Sequence, residues 1–245
     1  MTWVITGFQD GISGREHQFL SRSGNPPTGP GSVPSGDPGR TALTPQSIEG
    51  GCRLDPELGV TVNTGLHQDP GIVAAAELLA ARGAAGIPHP GGTLLAHLER
   101  VHALLAQWGA RPALRRAGLC HAFYGTDGFA VALGDPSRRD ELAAIIGEQA
   151  ERLVYFYASC DRRFSYPHLA APAGPFKDRF TDIVLHPPLS LRRDFAELTV
   201  ANELDIAAVN PDLRSRAGPA LLRLFTSWRN LLSETAWQAV HTALS

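Results

Sequence analysis

Hydrophobic and polar positions follow no sustained period before residue 69, and a helical one after it. The stretch DPGIVAAAELLAARG opens with Asp69 as a helix cap and Pro70 at the first helical position, and Gly83 can close it. In HPGGTLLAHLERVHALLAQWGA, Thr93 caps a helix whose Leu94, Leu98, Val101, Leu105 and Trp108 share one face. A shorter helix is expected from Pro112 to near Gly125, and another from Asp135-Pro136 to about Ser159. Residues 160–188, rich in proline and aromatics, read as an irregular loop. The segment LSLRRDFAELTVANELDIAAVN predicts a strong helix stopped by Pro211, and two more helices divided near Ser233 complete the chain. No alternating strand pattern stands out. The expected fold is all-α, one helical domain over residues 69–245.

Residues 1–68 contrast with that domain. Their segment GNPPTGPGSVPSGDPG holds five glycines and five prolines in sixteen residues, which disfavours regular structure and predicts a disordered tail.

Composition narrows the function classes. Hydrophobic residues at 43% and charged residues at 19% describe a globular chain. A net charge of -2 gives no electrostatic reason to expect nucleic acid or an anionic membrane as partner. Three widely spaced cysteines, Cys52, Cys120 and Cys160, contain no CxxC pair, so neither a disulfide framework nor a thiolate zinc site is expected. The opening residues lack the form of a secretory leader, and no stretch has spanning length, so a cytoplasmic location is expected. Oligomeric state is not legible.

The chemistry concentrates where polar residues fall on apolar faces. His97 points inward beside Leu104 and Trp108, while Glu99 and Arg100 point away. On the helix at 189–209, Asn202 lies inside the stripe of Leu191, Phe195, Leu198 and Ile206, flanked by Glu203 and Asp205. A buried amide left unpaired costs roughly 1–3 kcal/mol, so Asn202 needs partners, whether a neighbouring helix or a ligand. His121 ends a third helix, where the helix dipole alone could hold it. Three inward polar residues from three helices suggest a shared pocket, with packed core residues as the alternative.

The stretches TLLAHLERVHALLAQWG, AGLCHAFYGTDGF and ANELD resemble DUF6817, a bacterial family of unassigned function with a His-x-x-Tyr-Gly-Thr signature. The likeness covers about residues 70–210. The order of features is also similar to the HD-domain superfamily of helical metal-dependent phosphohydrolases, including its ppGpp-hydrolase branch. That resemblance implies an HD-like bundle, with His97 and His121 at the two histidine positions and Asn202 at the final aspartate position. It implies a divalent metal (Mn, Fe or Zn) at His97 and His121, and Asp205 is the carboxylate expected to join them.

Two anionic positions of the pattern are neutral in this chain, Ala122 and Asn202. Divalent metals of this class prefer carboxylate oxygen, so other groups must complete the set or the pocket works without metal. His89, Asp127, Asp161 and Asp205 are candidates to complete it. Tyr124 and Asp127 are candidate catalytic groups: the tyrosine as a general acid or substrate-orienting hydroxyl, the aspartate carried back toward His121 by Gly125. Tyr124 could equally be a core tyrosine and Asp127 a turn or cap aspartate. Arg162, with Asn202, is a candidate for binding substrate, since a guanidinium fork matches phosphate or carboxylate; its alternative is a surface ion pair with Asp161. The expected function is metal-dependent hydrolysis of a small polar or phosphorylated molecule. The alternatives are iron-dependent oxygenation and a non-catalytic module for ligand sensing or partner binding.

Overall fold

The computed structural model describes residues 69–245, and the tail expected over 1–68 lies outside the described residues. Helix α1 (Pro70–Ala81) starts where Asp69 accepts a hydrogen bond from the Gly71 amide. The same carboxylate takes two bonds from Arg116, which hold it below the usual carboxylate range. A two-residue hairpin, β1 (Pro88–His89) with β2 (Gly92–Thr93), then leads into α2 (Leu94–Gln107), capped by Thr93 as expected. Helix α3 (Pro112–Cys120) follows, and α2 packs on it so closely that a Cβ at Gly118 would lie 2.5 Å from Leu105 Cδ1.

The continuous helix expected from Asp135 is two. Asp135 instead accepts from the Ser137 amide in a turn, and α4 (Arg139–Ile146) is separated from α5 (Glu148–Ala158) at Gly147, whose φ of 86° no helix accommodates. The expected loop at 160–188 also carries structure. It contains one helical turn, α6 (Arg162–Ser165), and the antiparallel hairpin β3 (Phe176–Asp178) with β4 (Ile183–Leu185). Neither short hairpin offers enough alternating positions to register as a strand in the sequence.

Helix α7 (Leu189–Val209) is the central element, and α8 (Pro211–Ser227) and α9 (Glu234–Leu244) pack along it. From Phe195 to Ala207 all but one residue of α7 is buried, polar ones included. Its buried Asn202 and Asp205 find partners on α2, while Glu203 Oε2 has none among the described residues. The fold is thus mainly α-helical, and among the described residues no helix is long and apolar enough to cross a membrane.

Candidate functional site

Helices α2 and α7 meet through two facing pairs at i, i+3 spacing: His97 and Arg100 on α2, Asn202 and Asp205 on α7. His97 Nδ1 donates to Asp205 Oδ2 at 2.6 Å, and Arg100 grips the same carboxylate through Nε at 2.7 Å and Nη2 at 2.9 Å. Burial alone would raise the Asp205 pKa, but the bonds from His97 and Arg100 outweigh it and hold the carboxyl below its usual range. Arg100 also donates to the Pro90 carbonyl at 3.2 Å, tying the β1–β2 hairpin to this pair. It therefore does not point away from the interior as the helix pattern suggested; its long stem brings the guanidinium back over Asp205.

The opposite edge of the His97 ring faces Asn202, with Nε2 3.1 Å from Oδ1. The Asn202 amide nitrogen donates onward to Glu203 Oε1 at 3.2 Å, and that oxygen lies 3.7 Å from Arg162 Nη1. Asn202 thus has the partners its burial demands. Desolvation raises the Glu203 pKa, opposed by Arg162 and by the Asn202 bond. A chain of contacts therefore runs from Arg100 through Asp205, His97, Asn202 and Glu203 to Arg162.

His121 follows the last residue of α3. Its Nδ1 faces the Gly118 carbonyl at 2.8 Å and so carries the proton, leaving Nε2 as an acceptor with no protein partner among the described residues. Its ring stands edge-on to His97 and to Tyr157, with centroids 5.2 and 5.4 Å away. Burial first, then the neighbouring His97, lowers its pKa to about 3, so the ring is neutral at ordinary pH. His89, delivered by the β1–β2 hairpin, stacks on His97 at 4.1 Å, and burial lowers its pKa to about 4.

These side chains border one small cavity, partly continuous with solvent, whose free interior is about 20 Å³. Its polar lining is His89, His97, His121, Thr126, Arg162 and Asn202; Leu94, Phe129 and Ile206 supply apolar wall. The turn after α3 makes one side. Thr126 and Phe129 exchange backbone hydrogen bonds across Asp127-Gly128, and Gly125, at φ 70°, turns the chain into them. Gly128 lets the Arg162 guanidinium lie against this turn, since a Cβ there would be 3.0 Å from Nη1.

Four of the seven expected site residues line the cavity: His97, His121, Arg162 and Asn202. Asp205 stands behind His97 and is engaged by Arg100. Asp127 is exposed, and its Oδ2 accepts from the Arg162 backbone amide at 2.9 Å, so it anchors α6. Asp161 caps the same turn through the Phe164 amide. Tyr124 does not face the cavity: its hydroxyl donates to Glu151, which also binds Arg139 through two hydrogen bonds. The helix ends at Cys120, so the helical spacing that would align Tyr124 with His121 does not apply. Sequence reasoning did not single out Arg100, Glu203 or Thr126. Only the helical offset of three, linking Arg100 to His97, could have flagged the first.

Among the described residues no group of three or more His, Cys, Asp and Glu is placed to hold a metal ion. His97 has an oxygen on each ring nitrogen, and Asp205 has three donors, so neither turns a lone pair toward His121.

Residues 78–162 match the family model described as a domain of unknown function, DUF6817. No curated protein and no solved structure matches the chain. The matched segment runs from the last turn of α1 through the first residue of α6 and includes His89, His97, His121, Thr126 and Arg162. The α7 wall, with Asn202, Glu203 and Asp205, lies beyond it, so the cavity joins the matched segment to a helix outside it.

Proposed function

We propose that this chain binds a small polar molecule in the cavity between α2, the turn after α3, α6 and α7. The observation that carries this reading is His121 Nε2: on a buried, neutral ring that borders the cavity, it is an acceptor with no protein partner among the described residues, although a satisfied core histidine would use both nitrogens. The convergence of His97 from α2, His121 from the end of α3 and Asn202 from α7 on one cavity supports an HD-like origin for it. In this reading the His97–Asp205–Arg100 and Asn202–Glu203 contacts are a fixed scaffold, and the ligand meets His121, Thr126 and Arg162.

A fragment screen by NMR on full-length protein, reading the imidazole signals of His97 and His121, tests this. Binding should shift the His121 ring signals, and His121→Gln should remove the response. A screen of charged and neutral polar fragments that shifts neither ring would refute it.

Metal-dependent hydrolysis is the second reading, and the open Nε2 of His121 is the observation that favours it. It requires His97 to leave Asp205 or Asn202 so that ligands converge. Elemental analysis of tag-free protein decides it: stoichiometric Mn, Fe or Zn, lost in His121→Gln, would put hydrolysis or iron-dependent oxygenation ahead of simple binding. Protein that stays metal-free when incubated with each ion would remove both.

A further inference from the structure

The charges around the cavity narrow what it can hold. Arg162 lines it with a guanidinium whose side chain makes no hydrogen bond among the described residues; Glu203, at 3.7 Å, is too distant to satisfy it. A guanidinium offers five donors in a planar fork, and leaving them unmet in a partly buried site is costly. The Tyr166 ring centroid lies 5.8 Å from the guanidinium carbon, and no hydrogen bond joins the two side chains. The fork is therefore available to a ligand that brings acceptors.

The charged groups around the wall restrict the ligand further. Arg100 and Asp205 pair with each other behind His97, which leaves the Arg162 guanidinium as the arginine that borders the cavity. Glu203 lies 3.7 Å from that guanidinium, and its Oε2 is buried without a partner among the described residues. One negative charge matches the fork, whereas a second would be set against the Glu203 carboxyl.

We infer that the ligand is a small hydroxylated monocarboxylate, its carboxylate on the Arg162 fork and its hydroxyl donating to His121 Nε2. This rests on the proposed binding cavity and adds the ligand's chemical class. A neutral imidazole acceptor beside a cationic fork distinguishes such a molecule from a simple acid, which would leave Nε2 unmet. Thr126 supplies a further hydroxyl at the same wall. Gly128 acts as a specificity determinant, because a side chain there would push the fork out of line.

Calorimetric titration of the full chain with four probes tests this: glycolate, acetate, ethylene glycol and inorganic phosphate. Glycolate should bind at least about tenfold more tightly than acetate, the value of one hydrogen bond to a buried acceptor (~1.4 kcal/mol). Ethylene glycol should be weaker still, and phosphate weaker than glycolate. Arg162→Gln, paired with Glu203→Gln so that no carboxylate is stranded, should abolish the glycolate response. Ethylene glycol binding as well as glycolate would overturn the anionic class while leaving the binding cavity intact, and phosphate binding best would overturn the monocarboxylate. The wild-type probe series stands by itself should the double variant fail to fold. Silence from all four probes in calorimetry, with His121 shifted by other fragments in the NMR screen, would overturn this inference alone.

Discussion

His97 Nδ1 lies 2.6 Å from Asp205 Oδ2, and the carboxylate that receives it is already gripped by Arg100 from the same face of α2. The contact orients the ring. It fixes which edge of His97 meets Asn202, and through Asn202 it sets the position of Glu203.

Arg100→Ala should destabilise the protein by about 1–3 kcal/mol. Breaking a fully buried pair typically costs ~3–5 kcal/mol, but Arg100 is about a third exposed and its contribution is screened accordingly. Arg100→Lys should recover only part of the loss, since a lysine cannot bond both carboxylate oxygens and the Pro90 carbonyl together. Urea denaturation of the three proteins checks this. Equal stability for Arg100→Ala and wild type would show the clamp to be idle.

Stability should fall as the solution becomes acidic, beginning above the carboxylate range. The folded His121 pKa is lowered from 6.5 to about 3, so the unfolded state binds the extra proton first. Its contribution is complete above pH 6.5 and is lost progressively as pH falls toward 3. His89, lowered to about 4, acts in the same sense. Asp205, held below its usual range, gives stability present above the ordinary carboxylate value and lost as pH falls further. In His121→Gln the slope of unfolding free energy between pH 6.5 and 4.5 should decrease by about one proton. An unchanged slope would mean that His121 titrates alike in both states.

Gly118→Ala should cost about 1–3 kcal/mol by overpacking, because the added methyl would lie 2.5 Å from Leu105 Cδ1 at the α2–α3 contact. Gly118 also carries the carbonyl that fixes the His121 tautomer, so the His121 NMR signals should shift with the stability. A variant with wild-type melting temperature would contradict the close packing.

Gly128→Ala separates position from stability. Its methyl meets the end of the flexible Arg162 side chain, not backbone, so the melting temperature should change little while glycolate affinity drops several-fold. Affinity equal to wild type would place the ligand away from the fork.

Tyr124→Phe should lose about 1 kcal/mol, the worth of one hydrogen bond to Glu151, and leave ligand binding unchanged. Loss of binding with unaltered stability would return Tyr124 to the cavity.

Much of this was legible from one dimension. Helical spacing and caps locate α1, α2, α7 and α9, because an amphipathic period and a capping side chain are local properties. The same spacing turns His97 and Asn202 inward, because a helical residue's direction follows from its position alone. The β1–β2 and β3–β4 hairpins and the break at Gly147 escaped, since segments of two or three residues carry no period and a glycine's φ is chosen by its surroundings. Tyr124 was misread for a related reason: the helix stops at Cys120, and the last turn of a helix is settled by what packs beyond it. Partnership was decided only in three dimensions. Arg100 reaches Asp205 across 105 residues and Asp127 reaches Arg162 across 35, and neither separation leaves a trace in the chain. The sequence by itself turned His97 and Asn202 inward, while the burial of Glu203 and Thr126 emerged only with the fold. The packing of α2 against α7 decided which polar groups satisfy one another, and left His121 Nε2 and the Arg162 fork facing the cavity, because two helices in contact can pair only the groups their registers bring together.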